Sequence, residues 1–253
     1  IGQGKRGSLV SMSKAVNQSF SMRVYGRGGW LSGLLFPATC LICAEPGSGG
    51  RDLCAACHAG LPWLETACRR CALPLPAAEA ADAACGTCRQ NTSPLERVHA
   101  GFLYATPVDG LLRRFKFHHD LAAGRLMGQL LGDRLAAIAL PQAVVPVPLH
   151  HSRLRRRGYD QALELARPLA RRFDLPLRTV LQRLRATAAQ SELDAATRRR
   201  NLRNAFAASG RLPAHVALVD DVMTTGATLQ AAARALRRAG VARVDAWVCA
   251  RVP

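Results

Sequence analysis

Lysine is nearly missing from this 253-residue sequence: it occurs only at Lys5, Lys14 and Lys116, although lysine and arginine together number 35. Acidic residues are also scarce, at 17, and the formal net charge is +18. In a chain biased towards Ala, Arg and Leu, an arginine surplus is not by itself a dedicated polyanion surface. It attracts phosphates and nucleic acid without choosing between them. Aromatic residues make up 5% of the chain, which argues against an extensive platform of rings for stacking single-stranded bases. No apolar run approaches the ~18 residues a membrane helix needs, so membrane insertion is not expected. The basic N-terminal stretch has neither a long apolar segment nor a clean cleavage site, so the chain reads as cytoplasmic rather than secreted.

What remains is ample for a core. Hydrophobic residues make up 49% of the sequence, and its length allows one medium and one small domain. Residues 1–35 are rich in Gly and Ser without periodicity and read as a disordered tail, with Met12 and Met22 as candidate starts. That tail carries five Lys/Arg and no acid, and residues 36–95 carry four Lys/Arg against five acids, so +14 of the charge falls on the rest. The cysteine-rich module spans 36–91, with Pro37, Pro46, Pro62, Pro74 and Pro76 breaking any long helix. A polar linker around Gln90-Asn91-Thr92-Ser93-Pro94 leads to a larger domain, 95–253. There, strand patterns at 98–104, 143–147, 216–219 and 241–250 alternate with helical patterns at 107–117, 121–138, 160–173 and 228–238. Such alternation implies βαβ units and a parallel sheet covered on both faces.

Eight of the nine cysteines fall in four C-x-x-C pairs: Cys40/Cys43, Cys54/Cys57, Cys68/Cys71 and Cys85/Cys88. Two intervening residues let both thiolates of a tight turn face one ion, and two such turns complete a tetrahedral four-sulfur shell. A single pair would compete with a redox dithiol; four pairs so close together point to two structural metal sites. The simplest pairing is sequential, 40/43 with 54/57 and 68/71 with 85/88, and an interleaved cross-brace is the other arrangement. Zinc is the expected ion, with iron its competitor, because sulfur ligands alone do not separate the two. Cys249 lies in an apolar strand and reads as a buried side chain. The pairs His118-His119 and His150-His151 lack metal-site spacing and read as surface histidines.

The segment Val216-Ala217-Leu218-Val219-Asp220-Asp221-Val222-Met223-Thr224-Thr225-Gly226-Ala227-Thr228 runs from an apolar strand through two carboxylates into a Thr/Gly turn that opens a helix. Free backbone N–H groups and the helix dipole converge on such a turn, which makes it an anion cradle. Gly226 permits close approach, and Thr224, Thr225 and Thr228 add hydroxyl donors. Two carboxylates beside the cradle suit a ligand that also presents neighbouring hydroxyls, as a ribose 5-phosphate does.

This segment resembles the phosphoribosyl-diphosphate (PRPP) motif of type I phosphoribosyltransferases. Val145-Pro146-Val147-Pro148-Leu149, then Arg153, Arg155, Arg156, Arg157-Gly158-Tyr159-Asp160-Gln161, resembles the ComF family within that class. So do Lys116-Phe117 upstream and Arg198, Arg199, Arg200, Asn201 and Phe206 downstream. Asp160 stands where Asn is common, and the tail lies outside the pattern. The resemblance covers roughly 36–253 and implies an α/β fold: a type I phosphoribosyltransferase-like parallel sheet with flanking helices, preceded by a small double zinc ribbon. It implies that Asp220 and Asp221 grip the ribose hydroxyls and that Thr224, Thr225, Gly226, Ala227 and Thr228 hold the 5-phosphate, with Val222 also in the PRPP-binding set. The diphosphate falls to the loop of Pro146, Val147, Pro148, Arg155, Arg156, Arg157 and Gly158, with Arg157 foremost because it abuts Gly158. Arginine suits that task through its planar fork. Residues 183–206 fall where this fold often has a mobile flap over the site, and 187–197, without a clear core pattern, fits a flap or merely a loop.

With Mg²⁺ and PRPP bound, the resemblance implies phosphoribosyl transfer to a nitrogen acceptor, with Asp220, Asp221 and Arg157 as the catalytic set. It equally implies links to competence and DNA uptake, with single-stranded DNA or other competence proteins as partners. On that reading PRPP or a nucleotide acts as a regulator. A PRPP sensor without chemistry is the third form.

Overall fold

A computed structural model describes residues 37–79, 82–184 and 205–253. The expected tail, the core of the expected flap at 187–197, and Arg198 to Asn201 all lie outside these residues. From Ala38 onward the chain forms one unit. Among the described residues, no helix is long and apolar enough to cross a membrane.

The cysteine segment contributes two single-turn helices, α1 (Ala55–Ala59) and α2 (Gly86–Gln90). After it come β1 (Val98–Leu103), α3 (Val108–Phe117), α4 (Leu121–Leu135), β2 (Ala143–Pro146), α5 (His151–Arg157) and α6 (Gln161–Arg172). Then follow β3 (Leu181–Arg183), β4 (Phe206–Ala208), β5 (His215–Met223), α7 (Ala227–Arg238) and β6 (Arg243–Arg251). Four strands form a parallel sheet in the order β1-β6-β5-β2, and β3 and β4 pair antiparallel beside it.

The central strands are apolar almost without a break because both of their faces are covered. Val145, Val216, Leu218, Ala246 and Val248 pack with Leu229, Ala232 and Leu236 of α7. Val144, Ala217, Val219 and Trp247 pack with Leu126, Met127 and Leu130 of α4 and with Leu165 and Leu169 of α6. Helix α3 buries the stripe Val108, Leu111, Leu112 and Phe115, the i, i+3, i+4 spacing of one helix face. Gly124 of α4 lets α3 come close, since a Cβ there would lie 2.3 Å from Phe115 Cε2.

Two expectations need adjusting. Strand β5 does not stop at Val219 but continues through both aspartates to Met223, because β6 extends beside it and offers ladder partners as far as Arg251. The stretch after β2 is not simply a loop, for residues 151–157 wind into α5. The α5 helix is capped by His150, whose Nδ1 accepts from the Ser152 N–H at 3.3 Å. His150 is thus a buried capping residue (8% exposed) rather than a surface histidine, whereas His118, His119 and His151 are exposed.

The cysteine segment docks on the outer edge of β1. Leu64 N–H donates to Gly101 O at 3.1 Å, Leu103 N–H to Pro62 O at 2.9 Å and Val98 N–H to Arg69 O at 2.8 Å. Trp63 lies against Phe102, ring centroids 4.5 Å apart. Arginines complete the junction. Arg114 donates to Leu41 O at 2.7 Å, and Arg125 pairs with Asp52 at 2.7 Å. The buried Arg251 reaches Cys71 O at 2.8 Å and Met223 O at 3.3 Å.

Candidate functional site

The eight paired cysteines gather into two groups, Cys40/Cys43/Cys54/Cys57 and Cys68/Cys71/Cys85/Cys88, so the pairing is sequential. Within each group all four Sγ atoms lie within 4.8 Å of one another. Cys43 and Cys54 Sγ are 3.6 Å apart and Cys71 and Cys85 Sγ 3.7 Å apart. Four sulfurs at ~2.3 Å from a zinc ion would be about 3.8 Å apart, so the donor set fits Zn²⁺ in type, number and spacing. Backbone N–H groups also point at the sulfurs, Cys57 N–H to Cys54 at 3.4 Å and Cys85 N–H to Cys68 at 3.3 Å. Burial raises the Cys40 thiol, but N–H donors from Cys54, Cys43 and Ile42 outweigh it and bring it down to about 6. Cys57 is pushed up to about 12, first by its bond to Cys43. Four thiolates so close together repel one another, and a bound cation would offset that charge. Both shells are closed by protein ligands, which suits a structural role.

The second site lies at the C-terminal end of the sheet, where open parallel sheets present their crevice. Asp221 is buried (6% exposed) and Asp220 half-buried. Asp220 Oδ1 accepts from Asp221 N–H at 2.9 Å, and Asp221 Oδ1 accepts from Val222 N–H at 2.7 Å. Burial, then the charge of Asp221, lifts the Asp220 carboxyl to about 7, against the pull of Lys116. Lys116 Nζ lies 2.9 Å from Asp221 Oδ2.

Beyond the acids, the chain turns through exposed Thr224 and Thr225 into α7. Gly226 is the N-cap, with φ +74° and no side-chain cap bond. A Cβ there would meet only the movable tip of Met223, its Cε at 2.4 Å, so it is the positive φ that selects glycine. Thr225 Oγ1 accepts from Ala227 N–H at 3.4 Å, a long contact. With that long contact at Ala227 and no side-chain cap from Gly226, the N–H groups of the first turn of α7 face the position an anion would take.

The segment after β2 is brought alongside. Val147 N–H donates to Val219 O at 3.0 Å, which sets Pro146 to Pro148 next to the acidic strand. Arg155 and Arg156 are exposed, whereas Arg157 is half-buried. The Arg157 guanidinium sits 5.3 Å from the Phe117 ring centroid, and its Nη1 donates to Gln161 Oε1 at 2.9 Å. Burial lowers its pKa, while Asp221 raises it. Gly158, at φ +75°, ends α5. Asp160 takes the place of the expected Asn by using both carboxylate oxygens as acceptors, from Leu149 N–H at 3.0 Å and Leu163 N–H at 3.1 Å.

The sequence-derived candidates thus converge on one end of the sheet. Lys116 joins them, although the sequence offered it only as part of a motif, and so do Tyr159 and Gln161. Tyr159 Oη, Gln161 Nε2 and Arg157 Nε are buried without a hydrogen-bond partner among the described residues. Buried polar atoms left in this way are costly unless a ligand or water meets them.

Family models match in two places: a double zinc ribbon domain over residues 31–89 and a phosphoribosyl transferase domain over residues 160–253. Competence protein F of Haemophilus influenzae is 38% identical over 178 residues, 66% of this chain and 78% of that protein. DNA utilization protein YhgH of Escherichia coli K12 is 34% identical over 230 residues, 86% of this chain and 99% of that protein. Among solved structures, the allosteric regulatory enzyme of purine biosynthesis aligns with TM-score 0.32 at 21% identity, over 48% of this chain and 24% of that one. With a ribbon segment and a transferase-type sheet in one unit, and with YhgH matched along nearly its whole length and competence protein F over 78% of its own, the chain belongs to the ComF family, that of competence protein F and YhgH.

Proposed function

We propose that this chain binds PRPP with Mg²⁺ at the C-terminal end of its sheet and transfers the phosphoribosyl group to a nitrogen acceptor, in the service of competence or DNA use. One observation carries the reading. Two acidic side chains, an uncapped helix start at Gly226 and the Arg157 segment meet at a single sheet end.

In this reading the start of α7 and the hydroxyls of Thr224, Thr225 and Thr228 hold the 5-phosphate. Asp220 and Asp221 accept hydrogen bonds from the ribose hydroxyls and stabilise positive charge that builds on the sugar. Arg157 and the exposed Arg155 and Arg156 hold the diphosphate. The bond from the anomeric carbon to the diphosphate oxygen breaks, a carbon–nitrogen bond forms, and the nitrogen's proton passes to solvent or to the departing diphosphate. Oxygen donors of this kind suit Mg²⁺, which when bound neutralises charge on the diphosphate.

A second reading rests on the exposed arginines of α5 and on the names of the relatives. There the basic domain binds single-stranded nucleic acid, and PRPP regulates that binding.

Calorimetric titration with Mg²⁺ and PRPP, beside the Asp220→Ala/Asp221→Ala variant, tests the first reading. A micromolar Kd, about −8 kcal/mol, that is lost in the variant supports it. Absence of binding by folded, zinc-loaded protein overturns it and leaves the nucleic-acid reading, to be measured across salt.

A further inference from the structure

Lysine is the least expected cation at position 116. The chain has 32 arginines and three lysines, and Lys116 is the only lysine after Lys14. Its neighbours on the same helix, Arg113 and Arg114, follow the general preference. A cation near a helix C-terminus is favourable whichever side chain supplies it, so the helix alone does not select lysine.

The two cations differ at a carboxylate. A guanidinium locks onto it with two parallel bonds, whereas an ammonium is a compact point charge on a flexible stem. The partner here is buried: Asp221 Oδ2 lies 2.9 Å from Lys116 Nζ, and Asp221 Oδ1 already accepts from Val222 N–H. A ribose hydroxyl approaching Asp221 therefore competes with the ammonium. Next to Lys116, Phe117 is 57% exposed and carries Arg157 over its ring. Lys116 is thus flanked by the acidic pair on one side and by the proposed diphosphate segment on the other.

We infer that Lys116 is a substrate-contacting residue that releases Asp221 when ligand arrives and pairs with a diphosphate oxygen, leaving Asp221 to the ribose. This rests on the function proposed above. It accounts for lysine at this position, because an arginine would stay clamped on the acid. The exchange moves one ammonium from carboxylate to phosphate and involves no covalent step.

Three ligands separate the contacts: PRPP, inorganic pyrophosphate and ribose 5-phosphate, each titrated with Mg²⁺ into the parent chain, Lys116→Met and Lys116→Arg. Both substitutions are expected to weaken PRPP and pyrophosphate by about 10- to 100-fold, the effect of losing a charge-assisted bond. In Lys116→Met, ribose 5-phosphate is expected to bind as in the parent or more tightly, since Asp221 is freed. Zinc content and thermal melting verify the fold, and Lys116→Arg keeps the charge if Lys116→Met proves unstable. An equal loss for all three ligands would mark Lys116 as a purely structural partner of Asp221 and overturn the inference. Unchanged pyrophosphate and PRPP affinity would overturn it too, with the PRPP reading intact. A parent chain that binds none of the three brings down both.

Discussion

In the cysteine segment the fully buried apolar side chains are few, chiefly Leu53, Leu61, Leu64 and Ala72 beside the ligands Cys40 and Cys68. In the sheet, every residue from Val216 to Val219 and from Ala246 to Ala250 is 0% exposed. One region has too little apolar surface to hold itself and closes around sulfur; the other is held by burial from end to end. Damage to each should therefore have its own signature, and the functional end of the sheet should respond to neither in the same way.

The largest effect is expected from metal. Cys68→Ser should lower zinc from two ions per chain to one by elemental analysis, and should open the segment around Cys68, Cys71, Cys85 and Cys88 to protease. Structural zinc in comparable peptides contributes about 10–16 kcal/mol, more than any single side chain of the sheet. Next comes Trp247→Ala, which empties a fully buried site between β6 and the helices. A loss of about 3–5 kcal/mol in denaturant unfolding is expected, with both zinc ions retained in the folded fraction. An equal loss of zinc would show that the regions do not separate as described.

Gly226→Ala acts at the third place. Its φ of +74° strains any other residue by about 1–2 kcal/mol. The added Cβ also displaces Met223. Binding of PRPP should fall far more than stability does, a ratio that calorimetry and urea melts check together.

The smallest effect concerns pH. The folded chain holds the Asp220 proton up to about 7, against an ordinary value of 3.8. Its stabilising contribution is complete below 3.8 and is lost as pH rises towards 7. Asp220→Asn removes that loss, so the variant should gain stability over the parent between about pH 4 and pH 8, read from urea midpoints. The gain is modest because Asp220 is half-buried and solvent screens part of the charge. Equal pH slopes for the two proteins would contradict this account.

Features encoded by short spacing were legible in the sequence. Each C-x-x-C turn, the strand before Asp220 and the Gly226 turn depend on a few consecutive residues. Whatever depends on distant partners was not. Sequential and interleaved knuckles read identically until the two halves of each shell meet in space. Strand β5 ran past Val219 because its limit is set by β6, not by its own polarity. Lys116 was legible only as part of a family motif, without a partner or role, until folding brought Asp221 to it. The signal that could have found it was its rarity as a lysine. His150 looked like a surface residue because nothing local shows that its ring caps a helix.

The backbone bonds from Pro62, Leu64 and Arg69 to β1 have a consequence for synthesis. Translation delivers the cysteine segment before β1, whereas β6, the strand on the other side of β1, follows only after α3 to α7. A zinc-loaded segment can thus shield one edge of β1 while the ribosome completes the rest. Where lack of zinc leaves the cysteine segment unfolded, β1 would emerge with both of its edges open, and an open strand edge is a template for aggregation. Metal supply would then set how much of the nascent chain is lost to self-association.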